Sequence, residues 1–109
     1  MVNQRLEQIW QRASEAHAAI QNAYSEMEPR VGVSQSMRSQ GIPADAMTID
    51  NPKNQRRIIL ILHDQQPETI SYQFAWMDKD PEGEFKTLPD QQLTTGLIYE
   101  WMEAYLIGH

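Results

Sequence analysis

Two apolar segments joined by a short polar connection constrain the fold of this chain more than any other feature. Residues 57–63 are rich in β-branched and leucine side chains. Residues 69–77 alternate large apolar side chains with small or polar ones. Both patterns are typical of β-strands, and the five residues 64–68 are short enough to join neighbouring antiparallel strands. The sequence therefore predicts a β-hairpin.

The two patterns also predict the register of this hairpin. If His63 lies opposite Thr69, the largest apolar side chains of both strands fall on one face, because directly opposed residues share a face. A slip by one residue would scatter them. The predicted core face pairs Leu62 with Ile70, Leu60 with Tyr72 and Ile58 with Phe74, and Trp76 continues it.

Amphipathic helices are expected on either side of the hairpin. Apolar residues recur at spacings of three and four over residues 3–28, with Asn3 as N-cap and Pro29 as the stop. A second helix is predicted over residues 89–107, with a capping box at residues 87–90 and Gly108 as its end.

The remaining segments are less regular. A turn at residues 80–83 predicts a third strand over residues 84–87, with Phe85 opposite Met77. Residues 31–55 form a loop-rich segment, in which we expect a short strand at 46–49 and the greatest mobility at 34–43. Residues 1–109 thus form a single α+β domain: an antiparallel sheet of three or four strands with a long N-terminal and a C-terminal helix packed on one face, in the order α-(β)-β-β-β-α.

Composition excludes several classes of protein. The chain has no cysteine, so it has no disulfide framework, thiol nucleophile or thiolate metal site. No apolar run is long enough for a membrane span, and the N-terminal residues do not resemble a signal peptide, so a cytoplasmic protein without a membrane partner is expected. The formal charge is −6, and residues 58–109 carry nine acidic and two basic side chains. This balance disfavours nucleic acid as a partner.

Candidate chemistry is sparse. His63 and Asp64 at a strand end are the best acid–base pair, but no nucleophile motif accompanies them, and a structural role is expected. Residues 78–83 partly match a calcium-binding loop, yet Pro89 stands where the bidentate glutamate is needed. Base stacking by the aromatic strand is set aside because the register places its rings in the core. We therefore expect no enzyme, no cofactor and no metal.

In size, charge and element order the chain is similar to the chaperones of bacterial secretion systems. That resemblance implies an adaptor or chaperone-like interaction domain. Our first hypothesis is a non-enzymatic protein-interaction domain that forms a homodimer or binds another protein. Its candidate interface is the apolar part of the second sheet face, formed by Ile59, Ile61, Met77 and Phe85. The rival explanation is that residues 31–55 cover this face within one chain.

The alternative hypothesis is a small-ligand-binding domain. A pocket between the first helix and the sheet would be lined by Trp10, Tyr24, Tyr72 and Trp76. Aromatic side chains often line ligand pockets, although a filled core has the same composition.

Overall fold

A computed structural model describes residues 4–25, 28–79 and 83–107. The predicted N-cap Asn3 and stop Gly108 lie outside the described residues, as do residues 26–27 near the predicted end of the first helix and most of the turn at 80–83. The helices are α1 (Gln4–Ala23), α2 (Ser36–Ser39) and α3 (Thr95–Trp101), and α3 continues as a π-helical segment, Met102–Ile107. The strands are β1 (Arg30–Ser34), β2 (Ala44–Asn51), β3 (Arg56–His63), β4 (Thr69–Trp76) and β5 (Lys86–Pro89).

The five strands form one antiparallel sheet in chain order, β1-β2-β3-β4-β5. This confirms the α+β class, with more strands than the three or four expected. The predicted hairpin register is also confirmed, since Ile58 lies opposite Phe74 and Leu60 opposite Tyr72.

One face of the sheet, here called the helical face, packs against α1 and the C-terminal helix. The middle strands contribute side chains that are fully buried, because both helices lie over them. One apolar cluster joins all three layers: Leu6, Ile9, Ala13, Ala16 and Ile20 of α1, Met47, Ile49, Ile58, Leu60, Leu62 and Ile70 of the sheet, and Ile98, Met102 and Leu106 of the C-terminal helix.

Two strands fill much of the segment 31–55. β2 is longer than the expected strand at 46–49, and β1 was not predicted. β2 pairs with β3 and β1 pairs with β2, so the two strands widen the sheet and β1 forms its margin. The segment also contains α2, whose Arg38 pairs with Asp45 of β2.

The ends of three elements differ from the predictions. α1 ends at Ala23 rather than at 28, and Tyr24, which directly follows the helix, donates its hydroxyl to Glu103. The capping box at 87–90 is wrong, because Thr87 and Pro89 belong to β5, where an edge strand tolerates a proline. The true N-cap of α3 is Thr94, whose Oγ1 accepts the Leu97 N–H at 3.1 Å.

The last strand also has another register. β5 begins at Lys86, which lies opposite Tyr72. Phe85 therefore precedes the strand and does not lie opposite Met77.

Candidate functional site

Five rings form a continuous aromatic surface beside the C-terminal helix. Strand alternation places three of them on the helical face of β4, and the spacing of four residues places the other two on the same side of the C-terminal helix. We call this set the aromatic surface: Tyr72, Phe74 and Trp76 from β4, and Trp101 and Tyr105 from the C-terminal helix.

Four of the five rings contact one another, and the fifth, Trp76, lies beside Arg56. Trp101 stacks on Tyr72 with centroids 4.6 Å apart. Phe74 lies between the two helical rings, edge-on to Trp101 at 5.5 Å and stacked on Tyr105 at 5.0 Å. Such pairs add about 0.5–1.5 kcal/mol each beyond area burial. The surface is therefore pre-organised rather than loose.

The placement of these rings corrects the prediction that they form the core. Tyr72 is half-buried, but Phe74 and Trp76 keep 41% and 43% of their surface exposed. The sequence predicted correctly on which face of the sheet these rings lie, but it was wrong about how deeply they are buried. The helices cover β3 more fully than the outer half of β4. The reason given for setting base stacking aside is therefore wrong for Phe74 and Trp76.

Arg56 adds a fixed positive charge at one end of the aromatic surface. Its Cζ lies 5.7 Å from the centroid of Trp76 and 5.2 Å from that of Tyr105. Its Nη1 also donates to the Tyr105 carbonyl at 2.7 Å. Tyr105 in turn donates from its hydroxyl to the Ala75 carbonyl at 2.6 Å. Burial raises the pKa of Tyr105, and the charge of Arg56 opposes part of that rise, so this hydroxyl remains a donor at neutral pH.

A cavity of about 240 Å³ opens beside the rings, between β4 and the chain that leads into β5. Its walls are Tyr72, Gln73, Phe74, Glu84, Lys86 and Trp101. Ligand pockets for whole small molecules usually measure about 300–1,000 Å³. The smaller volume, with one acid and one base at the rim, fits a single large side chain.

The backbone of Phe74 faces the same cavity edge. Met77 N–H donates to the Gln55 carbonyl, so these two residues form a hydrogen-bonded pair. Because such pairs alternate along antiparallel strands, residues 71, 73 and 75 of β4 are the ones that bond to β3. Phe74 therefore directs its N–H and C=O away from β3, toward the side of β4 on which β5 lies. The pairing of β4 with β5 ends at Tyr72, so no residue of β5 lies opposite Phe74. Among the described residues, no backbone hydrogen bond to Phe74 comes from that side.

The predicted interface residues lie apart from the most exposed apolar side chains. Ile59 keeps only 8% of its surface exposed, and Ile61, Met77 and Phe85 are half-buried. The same sheet face carries the ion pair between Arg57 and Asp50, whose hydrogen bonds raise the pKa of Arg57. In the part of the chain that the structure describes, the large exposed apolar side chains are Trp10, Val33, Ile42, Phe74 and Trp76.

The predicted pocket residues serve separate contacts. Trp10 lies exposed on α1. The Tyr24 hydroxyl donates to Glu103 at 2.7 Å, and this bond raises the pKa of Tyr24. Trp76 lies under Arg56, and Tyr72 alone of the four lines the cavity of about 240 Å³.

His63 and Asp64, the predicted acid–base pair at the end of β3, bond to structural partners. His63 Nδ1 accepts the Gln65 N–H at 3.1 Å, which fixes the turn. Both Asp64 oxygens accept from Arg38, at 2.7 and 2.9 Å, and these bonds hold the pKa of Asp64 below its usual value. Arg38 also donates to both oxygens of the buried Asp45, so it fastens α2 to the sheet.

Two further findings concern metals and membranes. Within residues 4–25, 28–79 and 83–107, no group of three or more histidine and carboxylate side chains is placed to hold a metal ion. No helix in the described part of the chain has the length and apolar character needed to cross a bilayer.

Sequence reasoning did not assign Arg56, Lys86, Trp101 and Tyr105 to a site. The available signal was the spacing of Trp101 and Tyr105, which placed both on the apolar face of the last helix. Which strand that face meets depends on tertiary packing, so their contact with Phe74 could not be read from the sequence.

Comparison of the chain with protein-family models, with curated proteins and with solved structures gives no significant match.

Proposed function

We propose that this chain is a non-enzymatic protein-interaction domain that binds a short extended segment of a partner protein at the aromatic surface. The segment would place one aromatic or large aliphatic side chain in the cavity of about 240 Å³. The observation that carries the proposal is the exposure of Phe74, which lines that cavity, and of Trp76, which lies two residues further along β4 beside Arg56.

The energetics of interfaces support this choice. A few aromatic and arginine side chains usually supply most of the binding free energy at a protein interface. Rings that are fixed before binding lose little conformational entropy on contact. Trp76, Phe74 and the stacked Arg56 meet both conditions.

The backbone of Phe74 supports an extended partner. Its N–H and C=O face outward beside the cavity, where one residue of an extended chain can bond to them while its side chain enters the cavity. Glu84 and Lys86 at the rim offer an acceptor and a donor for polar groups of the same segment.

Nucleic acid is a weaker candidate for this surface. Exposed rings next to Arg56 could stack on bases. However, all five rings lie within residues 58–109, which carry nine acidic and only two basic side chains. A phosphate backbone would be repelled over most of that region.

The test is selection from a random heptapeptide phage library, followed by titration of selected synthetic peptides. The variants are Phe74→Ala and Trp76→Ala. Trp10→Ala is the matched control, because Trp10 is exposed to a similar extent, 39%, but lies on α1. We expect the selected peptides to share an aromatic or large aliphatic residue and to bind Trp76→Ala at least tenfold more weakly than the unmodified protein.

Three results would overturn the proposal. One is the absence of any enriched peptide. Another is equal affinity of the enriched peptides for the unmodified protein and both β4 variants. The third is that no peptide binds, whereas an oligothymidylate of fifteen nucleotides binds the unmodified protein and does not bind Trp76→Ala. That result would assign the rings to base stacking.

A further inference from the structure

We infer that two copies of this chain associate through the outer edge of β1, so that their sheets join into one continuous antiparallel sheet. The inference concerns the opposite margin of the sheet from the aromatic surface and does not depend on the proposed function. It also differs from the second-face dimer expected from the sequence.

The backbone of β1 has hydrogen-bonding groups that point away from the sheet. Asp64 N–H donates to the Pro43 carbonyl, directly before β2. Because hydrogen-bonded pairs alternate along antiparallel strands, residues 45, 47 and 49 of β2 are the ones that bond to β3. The alternate residues of β2 bond to β1, at Arg30, Gly32 and Ser34. Val31 and Val33 therefore direct their N–H and C=O outward, and within the described residues no hydrogen bond reaches those groups.

The side chains of this edge do not protect it. Edge strands are commonly guarded by charged residues or proline that block pairing with another strand. Within β1 only Arg30, its first residue, is charged, and Pro29 precedes the strand, whereas residues 31–37 carry neither. Val33 keeps 40% of its surface exposed on the helical face. The edge therefore has both the free backbone groups and the apolar side chain that favour an added strand.

One register suits a second copy. A two-fold axis through Gly32 places Val31 opposite Val33 of the second copy and Arg30 opposite Ser34 of the second copy. Both valine pairs are then hydrogen-bonded, and no like charges oppose each other. A shift toward the N-terminus would pair Val33 with Pro29, which has no N–H. A shift toward the C-terminus would use Gln35, whose φ of −108° and ψ of 20° are not those of a strand.

Charge also permits a second copy at this edge. The chain is acidic, but nine of its 15 acidic side chains lie in residues 58–109. Residues 30–40 contain only Arg30 and Arg38 as charged side chains, and Arg38 is occupied by Asp45 and Asp64.

The five residues of β1 offer less area than a standard interface of about 1,600 Å². We therefore expect a weak dimer, with a Kd on the order of tens of µM.

The first measurement is sedimentation equilibrium from about 5 to 500 µM, a range that brackets this Kd. Val33→Pro removes an outward N–H that β2 does not use, so the sheet of one chain stays intact while pairing between chains loses a donor. Val33→Thr keeps the N–H and the β-branched shape and is the matched control. We expect a dimer for the unmodified protein and for Val33→Thr, and at least a tenfold higher Kd for Val33→Pro.

A second measurement maps the axis and remains available if Val33→Pro does not fold. The chain has no cysteine, so Gly32→Cys introduces one thiol at the two-fold axis, where opposed Cα atoms lie within disulfide range. A Cβ at Gly32 meets only ordinary contact with Thr48 Oγ1, at 3.6 Å. Mild oxidation should give a covalent dimer of Gly32→Cys, whereas Thr48→Cys, on the same face of β2, should stay monomeric.

A monomer at every concentration would overturn the inference. So would a dimer that Val33→Pro leaves unchanged and that Gly32→Cys does not cross-link. A dimer lost on Ile61→Lys, with Gly32→Cys still not cross-linked, would assign association to the second sheet face. Trp76→Ala should leave the dimer unchanged, so failure of this inference and failure of the proposed peptide site can be told apart.

Discussion

Arg5, in the first turn of α1, donates from Nε and Nη2 to the two carboxylate oxygens of Asp90, at 2.6 and 2.8 Å. The same guanidinium donates to the carbonyls of His63 and Thr69, at 3.2 and 2.7 Å. His63 ends β3, Thr69 begins β4 and Asp90 follows β5. One side chain therefore ties the first helix to the ends of three strands.

Replacing this side chain should destabilise the fold. We expect Arg5→Ala to lower the free energy of unfolding by about 2 kcal/mol, because three partly buried acceptors lose a charged donor. Urea unfolding followed by far-ultraviolet circular dichroism measures the change. Gln8→Ala, exposed on the same helix, should change it by less than about 0.5 kcal/mol. Equal effects of the two substitutions would contradict the role of Arg5.

The start of the C-terminal helix can be tested with two threonines. Thr94→Ala should cost about 1 kcal/mol, because the Thr94 side chain satisfies the Leu97 N–H. Thr87→Ala should cost less than about 0.5 kcal/mol, because Thr87 is exposed on the edge strand β5. Urea midpoints of the two variants decide the matter. The reverse order would place the N-cap at the capping box that the sequence favoured.

The hairpin and its register were predictable because two independent local patterns agree at Ile58 and Phe74. A strand has a period of two whatever it packs against, so the face of each residue follows from the sequence. The extent of burial does not, since the exposure of Phe74 depends on where Trp101 and Tyr105 of a distant helix lie.

The errors at the margins of the sheet have a related cause. Thr87, Leu88 and Pro89 fit both a helix start and an edge strand, and their pairing with residues 69–71 of β4 selects the strand. β1 was missed because Gly32 interrupts a segment of five residues whose strand character comes from pairing with β2. The local sequence pattern is compatible with either structure at these positions, and contacts with distant parts of the chain determine which one forms.

The bond between Arg38 and Asp64 predicts a pH dependence of stability. Arg38 lowers the pKa of Asp64 in the folded state, so protonation is harder there than in the unfolded chain, where the pKa is about 3.9. The stabilisation is complete above that value and is lost as the pH falls through the lower pKa of the folded state.

Asp64→Asn removes this contribution. We expect the variant to have a lower urea midpoint than the unmodified protein at about pH 6, and we expect the difference to shrink as the pH falls below about 3.9 and through the lower pKa of Asp64 in the folded state. Urea titrations at several pH values over that range measure it. A difference that stays constant with pH would show that the carboxylate charge of Asp64 does not contribute to stability.

The unequal burial of two cross-strand neighbours gives the last prediction. Ile58 and Phe74 lie opposite each other on the helical face, yet Ile58 is fully buried and Phe74 is 41% exposed. Ile58→Ala should cost about 3 kcal/mol, as expected for a side chain removed from a packed core. Phe74→Ala removes more atoms but should cost only about 1 kcal/mol, mainly through its contacts with Trp101 and Tyr105.

Thermal and urea unfolding of the two variants measure both losses under the same conditions. A cost for Phe74→Ala equal to or above that for Ile58→Ala would mean that the ring is a core residue after all. A small cost means that Phe74→Ala remains folded at ordinary temperatures. Any loss of peptide affinity in a folded Phe74→Ala variant can then be assigned to the aromatic surface, in which Phe74 contacts Trp101 and Tyr105.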